Sequence, residues 1–166
     1  PLTRPKQSSE RIKTNMKRIE IHSLEETRDF AQKMAGLCRG KVITIVLDGD
    51  LGAGKTTWTQ SFGKALGVKR TINSPTFTIM KSYKQEDGEP LSHIDAYRLE
   101  GMHQDLGFED CFDSGICVVE WGGFLADQLP KDRIEISLQE GIDENRVMEM
   151  QGTGPVSNAI VEEFVC

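Results

Sequence analysis

Gly49-Asp-Leu-Gly-Ala-Gly-Lys-Thr56 is a complete match to the phosphate-binding pattern G-x-x-x-x-G-K-[ST]. Glycines in this pattern allow the backbone to curl, so that successive N–H groups point inward and cradle phosphate oxygens. Lys55 is expected to place its charge at the β- and γ-phosphates, and the Thr56 hydroxyl to ligate Mg²⁺. The positions expected to contact a nucleotide are Gly49, Asp50, Leu51, Gly52, Ala53, Gly54, Lys55 and Thr56.

The segments on either side of this loop have the patterns of a strand and a helix. Lys41–Leu47 is a run rich in β-branched residues, as expected of a strand that is buried on both faces. Thr56–Leu66 carries apolar residues at helical spacing, and Gly67 supplies the stop. The phosphates would lie at the positive end of this helix dipole. The order of strand, glycine loop and helix therefore predicts a site for a nucleoside triphosphate.

Length and composition predict one domain that has no contact with a membrane. The chain has 166 residues, 37% of them hydrophobic and 28% charged, enough for one domain and too few for two. Its longest apolar run is far shorter than the ~20 residues that cross a bilayer. The first twenty residues lack the apolar stretch of a secretory signal. Four scattered cysteines without C-x-x-C spacing favour a reducing, cytoplasmic location.

Charge is distributed unevenly along the chain. The first 18 residues contain six basic side chains and one acid, whereas the whole chain has a net charge of −6, so the remainder is strongly acidic. Such a body is poorly suited to grip a nucleic-acid backbone, and contact with RNA is expected to be indirect. We expect a disordered basic leader over residues 1–18, a single phosphate-loop domain over residues 19–152, and a tail of unassigned structure over residues 153–166.

Six further short segments have strand patterns. A polar loop joins Phe77–Tyr83 to Leu91–Asp95 and predicts that these two strands form an antiparallel pair. Ile134–Leu138 and Arg146–Gln151 are expected to pair as well. Ser23 and Glu26 form a capping-box pattern that predicts the start of a helix after the first strand. The six predicted strands are Ile19–His22, Phe77–Tyr83, Leu91–Asp95, Ile116–Val119, Ile134–Leu138 and Arg146–Gln151.

Two acids stand at the ends of predicted strands. Glu120 follows Ile116–Val119, where a carboxylate can hold Mg²⁺, directly or through a water, or polarise the attacking water. Asp95 ends Leu91–Asp95 and could orient the nucleophilic water. Because ligands gather at the carboxyl ends of strands in α/β sheets, we expect both acids at one metal and water site. The alternatives are a solvated strand end for Glu120 and a turn or cap for Asp95.

Three other positions could belong to the same site. Thr76, in Ser74-Pro-Thr-Phe77, is the candidate for a threonine that senses the γ-phosphate, with a simple Ser-Pro turn as the alternative. His93 is expected to pack or to hydrogen-bond rather than to bind a metal. Trp121 is either a core aromatic residue or a stacking surface. The absence of D-x-x-G and [NT]-K-x-D disfavours guanine recognition and a signalling GTPase.

Several blocks of sequence together resemble one known family from about Ile19 to Gln151. The chain resembles the TsaE family, small bacterial phosphate-loop ATPases required for threonylcarbamoyladenosine (t6A) modification of tRNA. Its most diagnostic block is His-x-Asp-x-Tyr-Arg-Leu. The matching blocks are Gly49–Thr57, Ser74-Pro-Thr-Phe-Thr78, His93-Ile-Asp-Ala-Tyr-Arg-Leu99, Leu106-Gly-Phe108 and Val119-Glu-Trp121.

The resemblance implies an α/β fold with a central, mostly parallel sheet, flanking helices and antiparallel strand additions. It implies Mg²⁺-dependent ATP hydrolysis, weak without partners, that supports the TsaB–TsaD transferase acting on adenosine 37 of tRNA. By this likeness Thr57 joins the nucleotide contacts, and Thr56 and Glu120 serve the metal. The chain would reach tRNA indirectly and would be a monomer when alone. The catalytic set implied by the family comprises Lys55, Thr76, Asp95 and Glu120.

Two other classes of function remain open on the sequence. A small-molecule kinase with the same phosphate loop would turn over ATP once it is given its acceptor, although no Arg-rich lid is apparent. A nucleotide-sensing binding module would hydrolyse ATP only incidentally. A coupling ATPase, in contrast, would hydrolyse ATP slowly until its partner proteins arrive.

Overall fold

The computed structural model describes residues 16–50, 52–73, 79–100, 107–125 and 127–164. In these ranges seven strands form one sheet with the order β1-β7-β6-β2-β5-β4-β3. No helix within the same ranges is long and apolar enough to cross a membrane. The strands are β1 (Lys17–Ile21), β2 (Ile43–Gly49), β3 (Met80–Lys84), β4 (Pro90–Asp95), β5 (Ile116–Glu120), β6 (Ile134–Glu140) and β7 (Arg146–Gly152). The helices are α1 (Leu24–Cys38), α2 (Lys55–Ala65), α3 (Glu109–Phe112) and α4 (Pro155–Glu163), with short 3-10 turns at Tyr97–Leu99 and Gly122–Leu125.

The middle of the sheet is parallel and its two edges are antiparallel. β2 pairs in parallel with β5 and β6, and β5 pairs in parallel with β4. β3 joins β4 antiparallel at one edge; at the other edge β7 pairs antiparallel with β6, and β1 pairs antiparallel with β7. The predicted α/β fold class is therefore confirmed. β5 is buried along its whole length, as its apolar run predicted.

Two hydrophobic clusters cover the two faces of the sheet. The larger cluster joins Trp58 and Phe62 of α2, whose rings stack at 4.9 Å, to Val118 of β5. The smaller cluster contains Val119 and the α3 residue Phe112. Successive side chains of a strand point to opposite faces, so Val118 and Val119 place the clusters on opposite sides. Glu120, two positions after Val118, therefore lies on the face that α2 covers.

The start of α1 differs in one detail from the predicted capping box. The Ser23 Oγ accepts a hydrogen bond from the Glu26 N–H at 3.1 Å, as predicted. The Glu26 Oε2, however, accepts from the N–H of His22 at 2.9 Å, one residue before the cap. The carboxylate thereby ties the end of β1 to the first turn of α1. The strand itself begins at Lys17, two residues before the predicted Ile19.

Residues after Gly152, for which the sequence predicted no element, include the helix α4. The Asp132 carboxylate caps this helix by accepting from the N–H groups of Val156 and Ser157, each at 2.9 Å, and from the Ser157 hydroxyl. Burial raises the pKa of Asp132, but the hydrogen bonds from Ser157 and Val156 outweigh it and hold the pKa below its ordinary value. Pro155 at the first helical position is a local start signal, but the acid that caps the helix lies more than twenty residues upstream.

Candidate nucleotide site

The glycine loop connects the end of β2 to the start of α2. Gly52 and Gly54 have φ angles of +86° and +103°, which L side chains rarely adopt. Gly49 lies against β6, where an added Cβ would come within 2.6 Å of the Leu138 carbonyl oxygen. Backbone geometry therefore favours glycine at both glycine positions of the pattern and at Gly52 between them.

The first turn of α2 is open to an anion. Among the described residues, no side chain caps this helix at Gly54. The first N–H groups of a helix have no partner within the helix, and the positive end of the helix dipole lies there. Thr56, on this turn, is exposed. Together the uncapped turn and the glycine loop have the features of a phosphate-binding site.

Arg146 of β7 binds the backbone of the glycine loop. Its Nε donates to the Ala53 carbonyl at 3.1 Å, and its Nη2 donates to the Gly52 carbonyl at 3.2 Å. Its Nη1 also donates to the carbonyls of Asp143 and Asn145, at 2.8 and 2.7 Å. Arg146 thus fixes two peptide planes of the loop. Sequence reasoning missed this residue, because nothing in a local pattern links positions 93 residues apart.

Lys55, Glu120 and His93 form a buried chain of contacts on the sheet face that α2 covers. The Lys55 Nζ lies 3.7 Å from the Glu120 Oε1. The His93 Nε2 lies 2.7 Å from the other carboxylate oxygen, Oε2. The three residues are only 9%, 7% and 3% exposed. The structure therefore brings together the predicted phosphate-binding cation and the predicted metal-binding acid, and it adds the histidine as a hydrogen-bond partner.

Trp121 covers the ammonium group of Lys55. The Lys55 Nζ lies 4.9 Å from the centroid of the indole ring, a cation–π contact. The ring stacks on Phe124 and meets the edge of Tyr97, yet 38% of the residue is exposed. Its φ angle of +58° is unusual for a bulky residue, and such strain concentrates at functional sites. Trp121 is thus an aromatic surface beside Lys55 rather than a core residue.

Asp95 ends β4 directly opposite Glu120 in the parallel register of β4 and β5. Its Oδ1 accepts the N–H of Tyr97 at 3.1 Å and closes the turn that leads into the next 3-10 segment. Asp95 therefore does close a turn, which was the alternative that the sequence left open for it. It engages one carboxylate oxygen, so a second role in orienting water is compatible with it. The two acids share one end of the sheet, as predicted.

The residues fit Mg²⁺ bound together with a nucleotide. In the described part of the chain, no group of three or more His, Cys, Asp or Glu side chains is arranged to hold a metal alone. Mg²⁺ characteristically keeps several waters and binds one or two carboxylates plus substrate phosphates. The exposed Thr56 hydroxyl, the Glu120 carboxylate and phosphate oxygens in the loop would supply that set.

The other predicted contact positions have varied surroundings. Asp50 is exposed and its carbonyl accepts from the Ala53 N–H at 3.0 Å; Ala53 is buried and Thr57 half-buried. Leu51 and Thr76 lie outside the described residues, so the γ-phosphate-sensing role of Thr76 remains a prediction.

A sequence model of the family described as threonylcarbamoyl adenosine biosynthesis protein TsaE matches residues 21–148. The chain belongs to the TsaE family. Membership in the TsaE family implies nucleotide binding, in agreement with the geometry of the glycine loop. It also confirms the resemblance carried by the His93–Leu99 and Val119–Trp121 blocks.

TsaE relatives match most of this chain in both sequence and structure. The tRNA threonylcarbamoyladenosine biosynthesis protein TsaE of Bacillus subtilis is 42% identical over 143 residues, which cover 84% of this chain and 88% of that protein. Its counterpart in Streptomyces coelicolor is 36% identical over 135 residues, covering 76% and 90%. The crystal structure of Bacillus subtilis YdiB is 34% identical, with a TM-score of 0.74, covering 89% of this chain and 93% of that one.

Proposed function

We propose that this member of the TsaE family is a Mg²⁺-dependent ATPase that supports the t6A modification of tRNA through TsaB–TsaD-type transferase proteins. The observation that carries the proposal is the 3.7 Å separation between Lys55 of the glycine loop and Glu120 at the end of β5. It brings the cation that we assign to the phosphates and the acid that we assign to the metal close together. The names of the relatives supply the pathway.

Binding of ATP uses the loop backbone, the first turn of α2 and Lys55. Lys55 exchanges the Glu120 carboxylate for oxygens of the β- and γ-phosphates, and this exchange makes the Glu120 Oε1 available to the metal. Thr56 and Glu120 would hold Mg²⁺, which would neutralise negative charge on the phosphates. Arg146 keeps the loop in its binding conformation.

Hydrolysis requires an oriented water at the γ-phosphate. Asp95 is the residue that we assign to this water, because it lies opposite Glu120 at the ends of adjacent parallel strands. Its second oxygen accepts the hydrogen bond of the water while Oδ1 keeps its bond to the Tyr97 N–H. Thr76 is the candidate for contact with the γ-phosphate.

Turnover by the isolated chain is weak in this proposal. Lys55 must leave a buried contact with Glu120 and the face of Trp121 before it can serve the phosphates, so the unbound arrangement competes with the productive one. TsaB–TsaD-type partners would favour the productive arrangement. The chain would reach tRNA through these partners, because its body carries an excess of acidic side chains.

The test is phosphate release by the full chain, measured alone, with the TsaB–TsaD-type pair, and with the pair and tRNA. The proposal predicts slow release that the pair accelerates, and loss of release in Lys55→Ala. Transfer of the γ-phosphate to a small-molecule acceptor would support a kinase instead. Turnover that partners leave unchanged, with modification intact in Asp95→Asn, would support a nucleotide sensor.

A further inference from the structure

We propose that His93 is a positioning residue that orients the metal-binding carboxylate of Glu120. The inference rests on the proposed function and extends it to a residue of β4 to which we assign no contact with phosphate or metal. Its basis is the 2.7 Å contact between the His93 Nε2 and the Glu120 Oε2, on side chains that are 3% and 7% exposed.

The two oxygens of Glu120 have different partners. Oε2 faces the imidazole of His93, and Oε1 faces the ammonium of Lys55 at 3.7 Å. When Lys55 moves to the phosphates, Oε1 loses its partner while Oε2 keeps one. A carboxylate that is held at one oxygen cannot rotate freely, so its other oxygen stays directed to the place that Lys55 has left. Hydrogen bonds of this kind orient metal-binding carboxylates in other metal sites.

The hydrogen-bonding state of His93 follows from its neighbours. In the metal-binding arrangement that we assign to Glu120 its oxygens accept, which places the proton of this contact on the His93 Nε2. The His93 Nδ1 is buried, and within the described residues it has no hydrogen-bond partner. A proton there would bury an N–H donor without an acceptor, which is costly. His93 therefore donates from Nε2 and leaves Nδ1 bare.

The strand register makes this contact a local property of the β4–β5 pair. His93 lies opposite Val118 and Asp95 lies opposite Glu120, so the histidine is one step back along the same face from the acids. His93 is thus placed to act on Glu120 without reaching the reacting atoms. If His93 had a purely structural role, the reach of the donor that replaced it would not change turnover. A positioning histidine requires a donor at the right distance.

A set of variants separates these roles. His93→Leu introduces an apolar side chain of similar bulk and removes the hydrogen-bond donor. His93→Gln offers an amide nitrogen at a reach close to that of Nε2, and His93→Asn offers one that is too short. Ser92→Ala is the matched control, because Ser92 is equally buried on the same strand but lies opposite Cys117 on the other face.

The measurements are kcat and KM for ATP, the Mg²⁺ concentration at half-maximal turnover, and Mg²⁺-free nucleotide affinity, with the partner pair present for turnover. Removal of such an outer partner typically costs 10–100-fold in activity or metal affinity. We expect this loss in His93→Leu and His93→Asn, with Mg²⁺-free nucleotide affinity and the KM for ATP nearly unchanged. His93→Gln should recover most of the turnover, and Ser92→Ala should match the wild type.

Several results would overturn the positioning role. One is a His93→Leu variant with wild-type kcat and Mg²⁺ response, and another is equal behaviour of the Asn and Gln variants. If His93→Leu does not fold, the positioning role is tested by comparing the turnover and Mg²⁺ response of His93→Gln with those of His93→Asn. Lack of Mg²⁺-dependent turnover in the wild type, or full turnover in Lys55→Ala, would instead overturn the proposed function itself, and the positioning role with it.

A second readout needs no nucleotide. Nitrogen-15 spectra of the imidazole rings at neutral pH identify which ring nitrogen carries the proton, and His93→Gln assigns the signal among the three histidines. The proposal predicts a proton on Nε2 and a bare Nδ1 in the wild type. A bare Nε2 with the proton on Nδ1 would overturn it, because that ring cannot donate to Glu120.

Discussion

The ammonium of Lys55 and the carboxylate of Glu120 lie 3.7 Å apart, with both residues less than a tenth exposed. Charges this deeply buried are tolerated because each compensates the other. Because they are this close, Glu120 competes with the phosphates for Lys55. Lys55 in turn competes with Mg²⁺ for Glu120. Under the proposed function, the site would exchange one set of charge pairs for another when it binds ATP.

Lys55→Ala should strongly weaken ATP binding. Charge-assisted hydrogen bonds to phosphate are the strong ones, and their loss should weaken ATP affinity by about 10–100-fold. Isothermal titration with ATP measures this change. Lys64→Ala, in the last turn of the same helix, is the control and should bind as the wild type does. Unchanged affinity in Lys55→Ala would remove the loop from nucleotide binding.

Thr56→Ala and Glu120→Gln should impair the response to Mg²⁺ more than the binding of free nucleotide. Each removes an oxygen ligand that we assign to the metal, whereas the loop N–H groups and Lys55 remain. A Mg²⁺ titration of turnover, set beside Mg²⁺-free nucleotide binding, separates the two effects. A wild-type Mg²⁺ midpoint in Glu120→Gln would return this acid to a structural strand end.

Asp95→Asn should bind ATP and hydrolyse it about 10²-fold more slowly, which is the scale of a positioned base or water-orienting group. The asparagine oxygen can still accept the Tyr97 N–H, so the turn should survive. The measurement is phosphate release in the presence of the partner pair, with nucleotide affinity determined in parallel. Undiminished release would leave Asp95 with its turn role alone.

Arg146→Met should weaken nucleotide binding by roughly tenfold through the loop rather than through contact with the ligand. The variant loses the hydrogen bonds to the Gly52 and Ala53 carbonyls, at about 1 kcal/mol each. Hydrogen exchange of the loop amides should rise as ATP affinity falls. Arg133→Met is the control, because Arg133 lies just before the neighbouring strand β6. Equal protection of the loop in both variants would contradict the assigned role.

Asp132→Ala should destabilise the protein by about 1 kcal/mol at neutral pH, since it removes the cap of α4. The folded-state pKa of Asp132 lies below its ordinary value of 3.8 because of the hydrogen bonds from Ser157 and Val156, which exceed the opposing effect of burial. Its stabilisation is therefore complete above that value and is lost as pH falls through the folded pKa. Denaturant unfolding of both proteins should show a difference that shrinks below about pH 4. A difference that is constant with pH would rule out the ionised cap.

The sequence predicted features that depend on local pattern and missed those that depend on pairing. The glycine loop, β5 and the acids Asp95 and Glu120 could all be read from short runs of residues. The contact of His93 with Glu120 depends on the β4–β5 register across 27 positions. The hold of Arg146 on the loop and the capping of α4 by Asp132 likewise join segments that are distant in sequence. No periodicity records such contacts.

The place of β7 in the sheet sets the order in which the working protein can arise on the ribosome. Among the described strands β1 pairs with β7 alone and lies at the edge of the sheet, although it is the first of them in the chain. β1 therefore emerges long before its partner and has no neighbouring strand to pair with until β7 is made. The glycine loop likewise lacks its hydrogen bonds from Arg146, because Arg146 begins β7. A nascent chain thus gains the Arg146 contacts to its glycine loop late in synthesis, when β7 has left the exit tunnel.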